Sequence, residues 1–497
     1  MRLDPETCEK ARLARDPRFD GRFFIGVRTT GIYCRPICRV RPPLRRNIDF
    51  HPTAAAAEEA GLRPCKRCRP ETAPGTPAWL GSSATVARGL RMIEEGALDG
   101  DGTVGAMAAR LGVGPRHLRR LFIEHVGAAP LAVARTRRVH FARRLIDESE
   151  LPMARVALAA GFGSVRQFNE AVRRTFGRSP RELRRAAAIG KRTAAPGLTL
   201  HLAYRRPFDW DGLLAFLAPR AMPGLEQIRD GVYRRAIGSG RQVAIAPVPD
   251  ADALEVRVSA PPPSDLIGVA ARARRLFDLS ADPARIAKDL GRDRRLRPLI
   301  RRRPGLRLPG AWDPFEVGVR AILGQQVSVA GATTLAGRLV AAFGTPSGIP
   351  GDAALTHLFP RARMLCDAAI EPLGLPRARA EAIRTFARAV DRETLAFDGA
   401  APLEESIAAM RALPGFGDWT AQYVAMRALG EPDAFPSGDL GLRKALASGA
   451  EPARERDVRA TAEAWRPWRS YAALWLWSSL GDTPRPARTP RAPRNPR

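Results

Sequence analysis

Four of the six cysteines stand in two closely spaced pairs near the start of the chain. Cys34 and Cys38 have three residues between them, Cys65 and Cys68 have two, and 26 residues separate the pairs. Each short loop supplies two thiolates, and zinc prefers four such ligands in a tetrahedron. The spacing therefore predicts one zinc ion bound by all four cysteines, in a site that is either purely structural or chemically active.

A second set of candidate catalytic residues lies near the C-terminal end. Gly415 and Gly417 form a predicted turn before a helix, where backbone amides can approach a phosphate. Asp439 follows Ser-Gly at another predicted helix start. A single carboxylate there could stabilise a developing positive charge and orient a water. The alternative for Asp439 is an ordinary helix cap.

Aromatic residues accumulate in the same region of the sequence. Trp419 and Tyr423 are four residues apart and therefore share one helix face, and Trp468 offers further aromatic surface. Electron-rich rings attract cations by about 0.5–2 kcal/mol. The three rings are candidates for a pocket that binds a cationic group, and Trp475 and Trp477 are expected in the core.

The elements that must position these residues belong to several domains. A chain of 497 residues is too long for one core, and its net charge of +30 indicates a polyanionic partner. Nucleic acid is favoured over a membrane, because the sequence shows no basic amphipathic anchor, signal peptide or apolar stretch of about eighteen residues. A cytoplasmic, nucleoid-associated protein is expected.

The pattern along the chain predicts a multidomain, mainly α fold in five segments. Pro, Gly and Ser concentrate at 71–83, and a second linker is predicted at 186–197. The segments are a small four-cysteine zinc α+β domain (1–72), a double helix-turn-helix (84–188), a small antiparallel β-sheet with one helix (197–262), an all-α domain with a helix-hairpin-helix (263–481) and a disordered basic tail (482–497).

The second segment contains an internal repeat. Residues 108–130 align with 158–180, and each copy reads as helix, turn and basic amphipathic helix ended by glycine. The repeat resembles the DNA-binding domain of AraC-type regulators, which implies that the second helix of each copy enters a major groove. The DNA contacts so implied are Arg116, Arg119, Arg166, Gln167 and Asn169. The alternative is a helical bundle with solvated charged faces.

The first segment resembles the N-terminal domain of Ada-type alkylation-response proteins over about residues 4–72. The motifs TTGIYCRPICR (29–39) and RPCKRC (63–68) carry this resemblance. It implies that Cys34 accepts a methyl group from a DNA methylphosphotriester, and that the lost negative charge raises DNA affinity. The expected phosphate contacts are Thr30, Arg35, Lys66 and Arg67. That family's second acceptor sequence, Pro-Cys-His-Arg, is absent, so repair of O6-methylguanine is not expected.

Residues 197–480 resemble AlkA-type 3-methyladenine glycosylases of the helix-hairpin-helix superfamily. The hairpin at 413–429, the loop before Asp439, and the segments 303–332 and 465–477 carry the resemblance. It implies hydrolysis of the N-glycosidic bond of alkylated purines, with Asp439 as the catalytic residue that stabilises an oxocarbenium-like sugar. Because these purines are cationic, Trp419, Tyr423 and Trp468 are the rings implied to bind the base.

Further expectations follow from this second resemblance. Trp419 stands where bifunctional relatives carry a Schiff-base lysine, so strand cleavage through an imine is not expected. Gln326 is the implied plug for the gap left by an extruded nucleotide, where relatives have an aliphatic residue. Backbone carbonyls implied as ligands of a monovalent cation are those of Arg411, Leu413 and Phe416.

The predicted function is DNA-alkylation repair and response, in which a monofunctional glycosylase is joined to a sequence-specific, methyl-accepting regulator. Double-stranded DNA is the predicted partner, RNA polymerase is a candidate second partner, and a monomer is expected. The main alternative is a transcription activator whose C-terminal half binds DNA without turnover. A glycosylase for oxidised purines is disfavoured by the missing lysine.

Overall fold

The computed structural model describes residues 4–74, 84–187, 197–238, 240–259 and 265–481. The predicted tail and most of the two predicted linkers lie outside these described residues. Across the described ranges, none of the helices combines the length and the apolar character needed to cross a membrane.

The metal-binding domain is a small sheet flanked by two helices. Its elements are helix α1 (Pro5–Leu13), strands β1 (Phe24–Val27), β2 (Ile32–Cys34) and β3 (Ile48–His51), helix α2 (Ala54–Glu59) and strand β4 (Arg63–Pro64). The strand order is β3-β1-β2-β4, with β2 and β4 parallel and the other pairs antiparallel. Because β2 ends at Cys34 and β4 ends just before Cys65, this parallel pairing brings both cysteine pairs to the same end of the two strands.

Seven helices form the double helix-turn-helix. They are α3 (Ala84–Glu94), α4 (Val104–Arg110), α5 (Pro115–Val126), α6 (Pro130–Glu148), α7 (Met153–Ala159), α8 (Val165–Phe176) and α9 (Pro180–Ala187). Leu118 and Phe168, which the repeat aligns, are both fully buried. Gly127 and Gly177 end α5 and α8 with φ of 78° and 67°, a left-handed conformation that glycine adopts at little cost. The predicted double helix-turn-helix is confirmed.

The next domain is a five-stranded antiparallel sheet. Its elements are β5 (Leu198–Ala203), α10 (Trp210–Leu217), β6 (Glu226–Arg229), β7 (Val232–Gly238), β8 (Arg241–Pro247) and β9 (Ala253–Val258), in the strand order β5-β9-β8-β7-β6. The predicted strands correspond to β5, β8 and β9. Strands β6 and β7 form an additional hairpin through the Asp230-Gly231 turn, where both residues have positive φ.

The remaining domain is almost entirely helical. Its elements are α11 (Leu266–Leu276), α12 (Pro283–Leu290), α13 (Leu296–Arg302), α14 (Pro314–Leu323), α15 (Val329–Phe343), the strand pair β10 (Thr345–Pro346) and β11 (His357–Leu358), α16 (Ala362–Leu365), α17 (Arg377–Asp391), α18 (Leu403–Arg411), α19 (Asp418–Ala428), α20 (Leu440–Ala445), α21 (Glu455–Ala462) and α22 (Arg469–Gly481). The mainly α, multidomain fold class is confirmed.

The domains pack into one body. Val139 of α6, Leu200 of β5 and Ile267 of α11 belong to one continuous apolar cluster, so the second helix-turn-helix shares its core with the sheet. Ala400, from the loop before α18, belongs to the apolar core of the first helix-turn-helix. Helix α11 lies beyond the predicted boundary at 262 but packs on the sheet, and the domain boundaries therefore stay predictions.

Candidate active site and metal centre

A cavity of about 1450 Å³ lies between the sheet domain and the helical domain. The hairpin glycines Gly415 and Gly417 line it, together with Trp419 and Tyr423 of α19 and Asp439 at the start of α20. Each of these five residues was predicted to contribute to the glycosylase site, and the structure brings all five together.

Asp439 caps α20 and faces the cavity at the same time. Its Oδ1 accepts the backbone N–H of Leu442 at 3.0 Å and the indole N–H of Trp477 at 2.8 Å. Its Oδ2 accepts the indole N–H of Trp419 at 3.0 Å. Three donors fix the orientation of the carboxylate, and Oδ2 retains a lone pair for one more donor. Asp439 is therefore a helix cap that also lies at the cavity wall, and its catalytic role stays a prediction.

The local sequence explains why the two indoles reach this carboxylate. Trp419 lies in the first turn of α19, directly after the hairpin. Trp475 and Trp477 are two residues apart on α22, so they project from nearly opposite sides of the helix. Trp475 is buried, with its indole N–H donated to the Arg303 carbonyl at 3.1 Å, and Trp477 consequently faces the cavity.

Tyr423 lies deeper in the cavity wall, among arginines. Its ring stacks on Trp419 with centroids 5.3 Å apart, and its hydroxyl accepts an N–H of Arg427 at 2.8 Å. Burial raises the pKa of Tyr423, but the guanidiniums of Arg427, Arg220 and Arg320 outweigh burial and leave the pKa below its ordinary value. Burial lowers the pKa of Arg320 to about 10, so Arg320 remains charged at neutral pH.

The four cysteine sulfurs form a compact cluster in the metal-binding domain. All four lie within 4.8 Å of one another. Sulfurs bound 2.3 Å from one zinc ion would be about 3.8 Å apart, so the cluster fits a tetrahedral zinc site. Cys34, Cys38 and Cys65 are 7%, 8% and 8% exposed, and Cys68 is the most accessible of the four.

A buried carboxylate connects the metal-binding domain to α6. Glu58 accepts the hydroxyl of Tyr33 at 2.9 Å and that of Thr136 at 2.7 Å, and it lies 2.8 Å from the ring of His140. Burial opposes the charged form of Glu58, but its hydrogen bonds from His140, Thr136 and Tyr33 outweigh burial and lower its pKa. The pKa of His140 is raised, because its bond to Glu58 outweighs the effect of burial. Tyr33 adjoins Cys34, so this network ties the metal centre to the helix-turn-helix.

Comparison with known proteins places these features in one family. A family described as the metal binding domain of Ada matches residues 7–71, a helix-turn-helix domain matches 107–186, and the AlkA N-terminal domain matches 199–313. The "Probable bifunctional transcriptional activator/DNA repair enzyme AlkA" of Mycobacterium tuberculosis is 45% identical over 487 residues, which cover 97% of each chain. This chain belongs to that bifunctional AlkA family.

Two other relatives each match one half of this AlkA-family chain. DNA-3-methyladenine glycosylase 2 of Escherichia coli is 38% identical over 290 residues, covering 57% of this chain and 98% of that protein. The bifunctional transcriptional activator/DNA repair enzyme Ada of E. coli is 36% identical over 172 residues, covering 35% of this chain and 47% of that protein. Zinc as the metal of the four-cysteine cluster is supported by the Ada-domain match and by the sulfur geometry.

Two predicted site residues of this AlkA-family chain lie elsewhere than expected. Trp468 is 4% exposed, does not line the cavity, and donates its indole N–H to Asp289 at 3.1 Å. Trp477, expected in the core, lies beside Asp439 instead.

Arg35, a predicted phosphate contact, is turned inward, where it pairs with Asp20 and donates to the Cys68 carbonyl at 3.1 Å. An inward guanidinium with its donors already engaged is not placed to hold a DNA phosphate.

The other predicted DNA contacts are accessible. The side chains that the repeat aligns on α5 and α8 are exposed, as are three of the predicted phosphate contacts: Arg116, Arg119, Arg166, Gln167, Asn169, Thr30, Lys66 and Arg67. Gln326 is exposed at the cavity, with φ of 56°. Its neighbour Gln325 donates to the Gly415 carbonyl at 2.8 Å and so fastens this loop to the hairpin.

Proposed function

We propose that this chain removes alkylated bases from duplex DNA by hydrolysing the N-glycosidic bond, and that its N-terminal half accepts methyl groups from phosphotriesters and binds DNA sequence-specifically. Asp439 is the observation that supports the glycosylase most strongly. It is a carboxylate held by three donors at the wall of a cavity with room for an extruded nucleotide. The names of the relatives from M. tuberculosis and E. coli agree with this assignment.

The proposed hydrolysis needs few protein groups. Asp439 stabilises the positive sugar as the base departs, and its Oδ2 takes the proton of the attacking water. The indole N–H groups of Trp419 and Trp477 keep this carboxylate in one orientation. Backbone amides of the hairpin at Gly415 and Gly417 bind a DNA phosphate, and Gln326 fills the space that the extruded nucleotide leaves.

Base release from a duplex with a single 7-methylguanine tests this proposal. We expect the full chain to liberate free 7-methylguanine and leave an abasic site in an intact strand. Trp419 carries no amine, so no covalent imine should be trapped by borohydride. Tight binding without base release would favour the alternative of a non-catalytic C-terminal half. A strand break at the lesion would contradict the monofunctional assignment.

Methyl transfer to Cys34 is the second proposed activity. Zinc, when bound, keeps the four sulfurs deprotonated at neutral pH. The Arg35 backbone N–H donates to the Cys68 sulfur at 3.3 Å, which leaves Cys68 a weaker nucleophile than Cys34. A thiolate that accepts fewer hydrogen bonds is the better nucleophile. The Cys34 sulfur would attack the methyl carbon, the carbon–oxygen bond would break, and the phosphodiester anion would leave.

Mass spectrometry after exposure to DNA carrying methylphosphotriesters tests this transfer. We expect one methyl group on the peptide that contains Cys34, and none after Cys34→Ser. Cys366→Ser is the matched control, because this cysteine lies in the helical domain outside the cluster. Methylation of Cys68, the less buried residue, would contradict the choice of Cys34.

Several finer statements about the chain stay predictions. They concern contact with RNA polymerase, a monomeric state, association with the nucleoid and the domain boundaries at 72, 84–188, 197–262 and 263–481. The monovalent cation at the hairpin is likewise a prediction. Of its three implied carbonyls, that of Leu413 already accepts the Phe416 N–H at 3.1 Å.

A further inference from the structure

A second cavity, of about 330 Å³, lies where three modules of the chain meet. Phe24 and Pro70 of the metal-binding domain, Leu90 and Phe141 of the helix-turn-helix domain and Ile267 of α11 line this junction cavity. Within the described chain it shares no lining residue with the glycosylase cavity. Small-molecule sites occupy about 300–1,000 Å³, so the junction cavity has room for a small ligand of its own.

Most charged side chains of the junction cavity already have a partner within the protein. The ion pairs are Arg91–Glu431, Arg137–Asp99, Arg275–Glu95 and Arg69–Glu71. His140 is bound to Glu58, and Asp278 accepts the hydroxyl of Tyr471 at 2.7 Å. Three charged groups of the wall are left without an ionic partner in the described chain: Glu94, Arg144 and Arg274.

Arg274 of α11 makes no hydrogen bond to any described residue. Its Nη1 atom is shielded from solvent and lacks an acceptor. Burial, reinforced by the guanidinium of Arg144, lowers the pKa of Arg274 to about 10, so Arg274 stays charged at neutral pH. Arg144 is itself buried and donates to the His201 carbonyl, which is a neutral acceptor. Two guanidiniums at the cavity wall therefore lack a compensating anion.

Glu94 of α3 compensates these two guanidiniums only in part. Burial raises the pKa of Glu94 and prevails over the opposing effect of Arg274 and Arg137. The carboxyl group is therefore biased toward its neutral form, in which it can donate a hydrogen bond. A buried charge without a partner is costly, and an anion that binds beside it removes this cost. The junction cavity is consequently suited to one small anion.

The rest of the wall determines which anion fits. Ile93, Val133, Leu308 and Leu429 contribute apolar surface in addition to the residues named above. A dianionic phosphate needs more donors than such a wall supplies. A carboxylate, in contrast, matches the fork of a guanidinium, and a hydrocarbon body attached to it would be removed from water against the apolar side chains.

We propose that the junction cavity binds a small carboxylic acid with an apolar body, whose carboxylate pairs with Arg274 and Arg144. This ligand contacts the metal-binding domain, the helix-turn-helix domain and α11 at once, so its binding stabilises the packed arrangement of the three modules. The inference is independent of base release and of methyl transfer, because none of the residues proposed for those reactions lines the junction cavity.

Titration calorimetry of the full, zinc-loaded chain with octanoate tests this site. We expect saturable binding of one octanoate per chain, and a melting temperature that rises with octanoate concentration. Two control ligands separate charge from apolar body: 1-octanol has the same body without the charge, and inorganic phosphate has charge without the body. Each should bind at least about tenfold more weakly than octanoate.

Substitutions in α11 locate the bound octanoate. Arg274→Met should weaken octanoate binding by at least about tenfold, because a hydrogen bond to a charged group is lost, and Arg274→Lys should retain most of the affinity. Ala271→Phe places a ring in the cavity and should abolish binding with Arg274 intact. Arg272→Met is the matched control, because Arg272 does not line the cavity and pairs with Asp265 at 3.6 Å.

The outcomes decide between this site and its alternatives. Failure of octanoate to bind would mean that the cavity takes no such ligand and would overturn the proposal. Equal affinity for octanoate and phosphate, or undiminished octanoate binding by Arg274→Met and Ala271→Phe, would place the anion on the basic surface instead. Circular dichroism during heating shows that each variant is folded. Loss of base release with octanoate binding intact would affect the proposed glycosylase function alone.

Discussion

Asp439→Asn is expected to slow the release of 7-methylguanine by about 10²–10⁴-fold, the range for loss of a catalytic acid or base. The amide has no negative charge for the sugar and cannot take a proton from water. It also matches its surroundings badly, because the indoles of Trp419 and Trp477 and the N–H of Leu442 all donate to this side chain. One of these donors would face the new NH₂ group. Single-turnover rates with saturating enzyme measure the chemical step directly.

Two further substitutions sharpen this test. Asp418→Asn removes a carboxylate at the start of α19 that does not line the cavity, and it should leave release unchanged. Trp477→Phe removes one hydrogen bond to the charged carboxylate, worth about 1.5–3 kcal/mol, and should slow release by at least about tenfold. Undiminished release by Asp439→Asn would show that another group performs the chemistry.

The glycosylase site was predictable from sequence where its residues are close along the chain. The hairpin glycines and Trp419 are within four residues of one another, and local spacing places Tyr423 on the same helix face. Asp439 follows a local turn signal. Trp468 was misplaced because its environment is long-range: its indole is bonded to Asp289, which is 179 residues away in sequence.

Charge in the cavity could not be predicted for a related reason. The chain has 81 lysines and arginines, so Arg220 and Arg320 carry no distinguishing signal in the sequence. Their role can be recognised only in the structure, where tertiary packing buries both guanidiniums near Tyr423. Arg35 shows the converse, since a basic residue beside Cys34 suggests a phosphate contact until Asp20 is found to pair with it.

The domain arrangement was also predictable only in part. Alternating residues identified β5, β8 and β9, whereas β6 has no buried position and β7 buries Arg235, a charged residue, between Tyr233 and Ala236. The two predicted linkers, at 71–83 and 186–197, suggested separate modules. The structure instead merges the core of the second helix-turn-helix with the sheet, because apolar faces of α6 and β5 cover each other. Periodicity within one element does not reveal which other element its apolar face will contact.

Removal of zinc should unfold the metal-binding domain and abolish sequence-specific DNA binding, while base release persists. The apolar clusters of this domain are small, and the largest contains Phe23, Ile25 and Ile48. Structural zinc contributes about 10–16 kcal/mol in zinc-finger peptides, which is comparable to the entire stability of an ordinary domain. Unfolding would release Glu58 from His140 and remove the support of α6. Zinc content, hydrogen exchange and operator binding of Cys38→Ala measure these effects.

Cys366→Ala provides the matched control for Cys38→Ala, because it removes a partly exposed thiol outside the cluster and should change none of these quantities. Base release should survive in Cys38→Ala, since the cavity is lined by the sheet and helical domains and by no residue before Gly212. The buried Arg205 side chain donates to the Asp20 carbonyl and so joins the sheet domain to the metal-binding domain. Unfolding of the metal-binding domain would break this hydrogen bond. If Cys38→Ala loses zinc and still binds the operator, the helix-turn-helix does not need the folded metal-binding domain to bind DNA. The contact of Glu58 with α6 would then make no contribution to DNA binding.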